Sequence, residues 1–183
     1  MIRPWNESDL PAVREEERVF RIEELERKEA SAYEAVLMER ARWLDEHGLH
    51  MWKPEHLSID GMIERYGKPA FFGAFEGPDC AGGFALLEED ERYWPGRAGD
   101  RAFYIHKFVV SPRFAGKGYA DRMLEWSKDL GRQRGKDFVR LDYTKQRSYL
   151  RSMYLRHGFE DAGESTTPEG TVLVLGECRL LAQ

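Results

Sequence analysis

Cysteine is almost absent: Cys80 and Cys178 are the only two in 183 residues. Both sit in apolar, strand-like runs, as reduced buried thiols would, so a disulfide scaffold is excluded and a cytoplasmic setting is expected. No run approaches the roughly 18 apolar residues of a membrane helix, and mean hydropathy is −0.65. The opening Met-Ile-Arg-Pro-Trp lacks the apolar stretch of a secretory signal. Basic charge is in deficit, with 28 Lys and Arg against 33 Asp and Glu. That balance argues against a nucleic-acid partner, and nothing points to a membrane. There is no G-x-S-x-G, and neither cysteine has a neighbouring histidine, so covalent catalysis is not expected. His47, His50 and His56 are close in sequence, but their spacing crosses a helix stop at Gly48. No Cys or carboxylate pattern completes a site, so no metal is expected.

What is present suffices for a core. Hydrophobic residues make up 42% and aromatic residues 13%, which excludes a disordered chain. The length is that of one ordinary domain, and 1–183 reads as a single unit. Charge is unevenly spread. Residues 1–100 hold 13 basic and 23 acidic side chains, residues 101–160 hold 14 and 6, and residues 161–183 hold 1 and 4. A basic segment inside an acidic protein points to a local anionic ligand.

Along the chain, Ile2-Arg3-Pro4 reads as a short strand, and Ser8 or Asp9 as a helix cap with Pro11 in the first turn. Val13 to Lys28, rich in Glu and Arg, reads as helix with a thin apolar stripe of Val13, Phe20 and Leu25. Ser31 to Glu34 fits a capping box opening a second helix that Gly48 stops. A third helix follows Ser58, with Met62 and Ile63 inward. Ala70–Phe75 and Cys80–Leu87 read as a hairpin about Gly77-Pro78-Asp79. A polar loop over 88–100 leads to Phe103–Val110, apolar on both faces apart from His106 and Lys107, as a central strand is. Tyr119–Arg134 is predicted helical, 138–141 a strand, 149–157 a short helix capped by Ser148, and 171–175 a final strand. The order predicts an α/β fold with a mixed sheet and a right-handed parallel crossover over 103–141.

Arg113-Phe114-Ala115-Gly116-Lys117-Gly118-Tyr119-Ala120 links a buried strand to a helix. Gly116 and Gly118 permit a tight turn and close approach of a ligand. Free amides at the helix start, its dipole, and the charges of Arg113 and Lys117 make an anion site suited to phosphate or diphosphate. A Walker loop is ruled out because no glycine lies five residues before Gly116 and Gly118 follows the lysine. A Rossmann loop is disfavoured because Asp121 stands where the third glycine belongs. Arg113, Gly116 and Gly118 match the R-x-x-G-x-G/A loop of the GNAT N-acetyltransferases position for position. Tyr104–Val110 resembles the strand before that loop in many bacterial members. Leu150, Tyr154, Gly158 and Phe159 resemble their L-x-x-x-Y-x-x-x-G-F stretch. The resemblance is strongest over 103–160 and weakest over 1–67.

This resemblance implies a GNAT fold: a mixed sheet of about six or seven strands flanked by helices. It divides the chain into 1–67 (N-terminal strand and acceptor-side helices), 68–110 (central strands), 111–160 (acetyl-CoA-binding core) and 161–183 (C-terminal strands). It implies acetyl-CoA as co-substrate, held by Phe108, Val109, Val110, Arg113, Ala115, Gly116, Lys117, Gly118, Tyr119 and Ala120. Members commonly carry Asn where this sequence has Arg147. An arginine cannot copy an amide's donor–acceptor pair, so Arg147 is expected to reach a cofactor phosphate. Tyr154 matches the family's general acid toward the CoA sulfur. For the base, His106, Glu88 and Glu89 stay open, as does no base at all. His106 also reads as a core histidine bonded to backbone. Trp43 and Trp52 flank a region that forms part of the acceptor pocket in this family. The expected acceptor is a small-molecule amine, and the acidic excess leans toward a cationic one. The alternatives are a protein N-terminus or lysine, or a non-catalytic acyl-CoA-binding module. A monomer and a homodimer both stay open.

Overall fold

The computed structural model describes residues 19–167 and 170–180. The expected strand at 2–4 and the helix start near Ser8 lie outside them. In chain order the elements are β1 (Phe20–Leu25), α1 (Ser31–Glu46), α2 (Ile59–Tyr66), β2 (Ala70–Glu76), β3 (Asp79–Leu87), β4 (Ala102–Val110), α3 (Tyr119–Gln133), β5 (Phe138–Thr144), α4 (Ser148–Arg156), β6 (Glu160–Thr166) and β7 (Val172–Arg179). The strands form one mixed sheet in the order β1-β2-β3-β4-β5-β7-β6. Only β4 and β5, joined through α3, pair in parallel among the described strands.

Three sequence expectations are corrected. Phe20–Leu25 is a strand, not part of a helix, running antiparallel to β2 from Phe20 opposite Glu76 to Leu25 opposite Phe71. A helix would bury only a thin stripe there, whereas a strand satisfies the edge of apolar β2. Its charged residues then blunt the outer edge. Phe20 packs 5.1 Å from the Tyr119 ring and under Arg122. The capping box at Ser31 also does not form. Ala30 holds the cap position without a side-chain bond, and the Glu34 carboxylate instead accepts from the Ile59 amide at 2.8 Å, joining the starts of α1 and α2. The expected cap at Ser58 is present, accepting from Gly61 N at 3.0 Å. The expected cap at Ser148 is corrected: Ser148 is the first residue of α4, and Arg147 holds the cap position without a side-chain bond. β6 has almost no apolar residue and is exposed along its length, so hydrophobic patterning did not mark it.

Both faces of the sheet are covered. Phe72, Phe84, Ile105 and Leu141 pack with Met123 and Leu124 of α3 and Tyr154 of α4. On the other face Phe71, Phe75, Ala85 and Val109 pack with Tyr33, Leu37 and Met62 of α1 and α2. Gly83 lets α1 approach closely: a Cβ there would stand 2.6 Å from the Tyr33 ring and 2.4 Å from the Phe72 carbonyl oxygen.

Two irregularities in the middle of the sheet make room for a site. Opposite β3, the register of β4 shifts between Val109 (facing Gly83) and His106 (facing Ala85). This bulge puts Lys107 at φ 51°, and the buried Tyr33 hydroxyl donates to the Lys107 carbonyl at 2.8 Å. On the other side, β4 and β5 pair only from Ala102/Phe138 to Ile105/Leu141 and then part.

Candidate active site

The first half of the site is the loop from β4 to α3. Ser111 anchors it, its amide donating to Ala81 O at 2.8 Å and its hydroxyl to Glu39 at 2.7 Å. Phe114 is buried against Tyr119. Gly116 (φ 76°) and Gly118 (φ 77°) adopt left-handed conformations that favour glycine. Gly118 is the cap residue of α3, and no side chain occupies the capping role. The first amides of a 15-residue helix are therefore left to a ligand. Arg113 and Lys117 are more than half exposed and pair only loosely, at 3.5 Å with Glu39 and 3.9 Å with Glu76. The Tyr119 side chain turns inward to Glu76, donating at 2.5 Å, so its backbone is what it can offer a ligand. Asp121 turns away as well, bonding His157 Nε2 at 2.7 Å.

The second half is the gap where β4 and β5 part, which opens into a cavity of about 280 Å³. Tyr154 lies on the α3–α4 side, its ring 5.4 Å from Tyr143 and 5.8 Å from Phe159. Burial pushes its hydroxyl far above the ordinary phenol value, with Asp142 adding in the same direction, so it stays protonated at physiological pH. His106 and Asp142 lie on the α1–α2 side, next to each other across the gap. His106 is buried beneath Tyr66, stacked at 4.7 Å, with Tyr93 at 5.2 Å. Its Nε2 is 2.8 Å from Asp90 Oδ2, and its Nδ1 is 3.5 Å from Asp142 Oδ2. Asp90 is itself fixed by the Tyr93 amide, which donates to Oδ1 at 3.1 Å. Burial raises Asp142 above the usual carboxylate range, opposed chiefly by His106. Asp90, His106 and Asp142 form one compact buried cluster, with a donor atom of each within 4.8 Å of the others, a set that can share and pass a proton.

The structure brings Tyr154, His106 and Phe108 to one cavity. It does not bring Glu88 there, which corrects that candidate. Glu88 and Glu89 line a separate hollow with Phe72 and Phe103, and Lys136 donates to Glu88 at 2.7 Å. The acid that reaches the site is Asp90, after the chain has turned back at the end of β3. Sequence reading missed both Asp90 and Asp142. Asp142 could have been found by alternation, since it continues the face of Arg140 on β5. Arg147 donates through Nη2 to the carbonyls of Leu49 (3.2 Å) and His50 (2.9 Å), tying that loop to α4. The Val110 carbonyl is occupied by Arg40, at 2.9 Å from Nε and 2.6 Å from Nη2. The three early histidines diverge. His47 bonds Trp43 O, His50 pairs with Asp45, and His56 lines the cavity with Trp52.

The sequence pattern of the acetyltransferase (GNAT) family matches residues 3–159. The chain is a member of the GNAT family. As a GNAT protein it is an acyltransferase of the N-acetyltransferase kind. It is 30% identical over 145 residues to the uncharacterised N-acetyltransferase YesJ of Bacillus subtilis, a match covering 74% of this chain and 79% of YesJ. A GNAT-family acetyltransferase from Listeria monocytogenes superposes with a TM-score of 0.70 at 25% identity, covering 88% of this chain and 95% of that one. The PaiA N-acetyltransferase of Thermoplasma acidophilum, solved in complex with coenzyme A, superposes at 0.66 with 18% identity, covering 88% and 99%. The seven-stranded sheet and four α-helices among the described residues follow the same fold.

Proposed function

We propose that the protein moves an acetyl group from acetyl-CoA to the amine of a small molecule, by direct attack in a ternary complex. The observation that carries this reading is the parting of β4 and β5 beyond Ile105 and Leu141, with Tyr154 and His106 both lining the cavity it opens. The uncapped start of α3 with Gly116, Gly118, Arg113 and Lys117 fits a pyrophosphate on the amides of 115–120. The coenzyme A bound to the Thermoplasma relative supports the same cofactor. Backbone groups of β4 from Phe108 to Val110, freed from β5, would then face the pantetheine arm and the developing oxyanion.

The chemistry follows from the two sides of the gap. With Asp90 accepting from Nε2–H, the Nδ1 lone pair of His106 faces the cavity and takes the proton from the incoming ammonium, through water or directly. The freed lone pair attacks the thioester carbon, a C–N bond forms and the C–S bond breaks. Tyr154 donates its proton to the departing thiolate, and the second proton shed by the acylated nitrogen returns through water to the Tyr154 oxygen. A cavity of about 280 Å³ suits a small acceptor.

Titration calorimetry should show acetyl-CoA binding, and no heat with acetyl-CoA or CoA would overturn the proposal. Tyr154→Phe should cut kcat by about 10²-fold or more while leaving acetyl-CoA affinity intact. Full activity in that variant would remove Tyr154 from the mechanism.

A further inference from the structure

The cavity walls carry an excess of cations. Lys53, Arg65 and Lys107 line it, and among its described lining residues Asp142 is the one carboxylate. The acidic residues of the N-terminal half, which pointed to a cationic acceptor, do not line it. Arg65 is engaged, donating to the Tyr93 hydroxyl from Nε at 2.9 Å and Nη2 at 2.5 Å. Lys107 is different. Among the described residues its ammonium makes no hydrogen bond or ion pair, and Nζ lies 5.4 Å from the Trp52 ring centroid.

Lys107 is also held in place at some cost. A lysine normally carries its charge out to water, but this one is partly buried on the β4 bulge at φ 51°. Its carbonyl is pinned by Tyr33. Burial and then Arg65 bring its ammonium down to about 8. His56 on the facing wall is pushed below its ordinary value by burial, then by Arg65 and Lys107. The charges of Arg65 and Lys107 thus act on each other and on His56 across a confined cavity, which focuses their field. The opposite charge sits beside His106, where Asp142 Oδ2 is buried without a hydrogen bond among the described residues.

Resting on the transfer reaction proposed above, we propose that the acceptor is an amine that carries its own carboxylate, of the amino-acid kind. Lys107 holds the carboxylate, and Asp142 receives the ammonium before His106 takes its proton. Lys53 and Arg65 add to the field that draws the anion in. Lys107 and Asp142 thus act as specificity residues, selecting a zwitterion over a simple amine or a diamine.

The test offers acceptors in matched pairs, each amino acid against its carboxamide, with a diamine of like length, and follows thiol release from acetyl-CoA. The expected kcat/KM is about 10- to 100-fold higher for the acid than for its amide, the range of a charge-assisted pair. Lys107→Met should bring that ratio close to one, mainly by raising KM for the acid, with acetyl-CoA affinity by calorimetry unchanged. Lys53→Gln, at an exposed position, should lower the ratio severalfold and serves if Lys107→Met does not fold. Titration of the same pairs into the CoA complex should give the same order. Thiol release that favours the amides or the diamine, or equal affinity within pairs, overturns this inference and leaves the transfer reaction standing. Absence of both acetyl-CoA binding and thiol release overturns the transfer reaction, and the acceptor assignment with it.

Discussion

In the proposed reaction one hydrogen bond at His106 sets which nitrogen acts. Asp90, 2.8 Å from Nε2 against 3.5 Å for Asp142 from Nδ1, would hold the proton there and leave Nδ1 to the cavity. On this proposal Asp90 is a positioning residue. Asp90→Asn should lower kcat by about 10- to 100-fold, displace the pH–rate profile, and leave the KM for acetyl-CoA unchanged. A loss of stability with an unmoved profile would make Asp90 purely structural. Lys107 gives a second prediction, with the sign set by linkage. Its folded-state value of about 8 lies below the ordinary 10.5. Below pH 8 the ammonium is charged in both states and the native state carries the full burial penalty. Between about 8 and 10.5 only the unfolded chain holds the proton, so stability rises with pH. Lys107→Met should thus be more stable than the parent at pH 7, by roughly 1–3 kcal/mol. Urea melts at pH 7 and above pH 10 should show that advantage present and then gone.

Among the elements, β4 connects packing to chemistry. Its bulge is fixed from behind by Tyr33 on α1, and α1 reaches β3 only because Gly83 leaves space. Gly83→Ala would set a Cβ against both a backbone oxygen and the Tyr33 ring. The expected cost is about 1–3 kcal/mol or more, read as a lower Tm. If Tyr33 moves, Lys107 moves with it, and acceptor KM should rise before acetyl-CoA affinity falls. The far side of the site is braced through α3 and α4. His157, just after α4, lies 2.7 Å from Asp121 and 2.8 Å from Glu125, and Lys128 donates to its carbonyl at 3.0 Å. This network ties the helix bearing Tyr154 to the helix that begins at the phosphate loop.

Over the whole molecule, charge is sorted rather than averaged. The net of −5 hides a basic stretch around the loop and cavity and an acidic remainder. Charged residues also line the two outer strands, β1 and β6, where they discourage edge-to-edge pairing. None of the described helices is long and apolar enough to cross a membrane. The exposed Arg113 and Lys117 work in solvent, so their contribution is screened by salt. Affinity for acetyl-CoA should fall by about 3- to 10-fold between 50 mM and 500 mM salt. The discrimination proposed for partly buried Lys107 should change less. Calorimetry and matched-pair kinetics at the two ionic strengths would measure both.

Local patterns in the sequence determined the glycine loop before α3, the alternation of helices and strands from residue 31 onward, and the position of Tyr154. Each depends on neighbours within a turn or a strand: glycines at left-handed positions, an apolar period, a helix start. They also marked His106, though not its partners. The tertiary structure decided what depends on distant contacts. Phe20–Leu25 became a strand because β2 needed an edge partner, and β6 formed on β7 without apolar residues of its own. Glu88 and Asp90 are two residues apart, yet the turn after β3 sends one to Lys136 and the other to His106. Asp142 became part of the site only because β5 parts from β4 one residue earlier. The charge of the cavity proposed to take the acceptor likewise follows from which side chains line it. The acidic residues that dominate the first hundred positions face elsewhere, and Lys107, one cation on a pinned bulge, faces in.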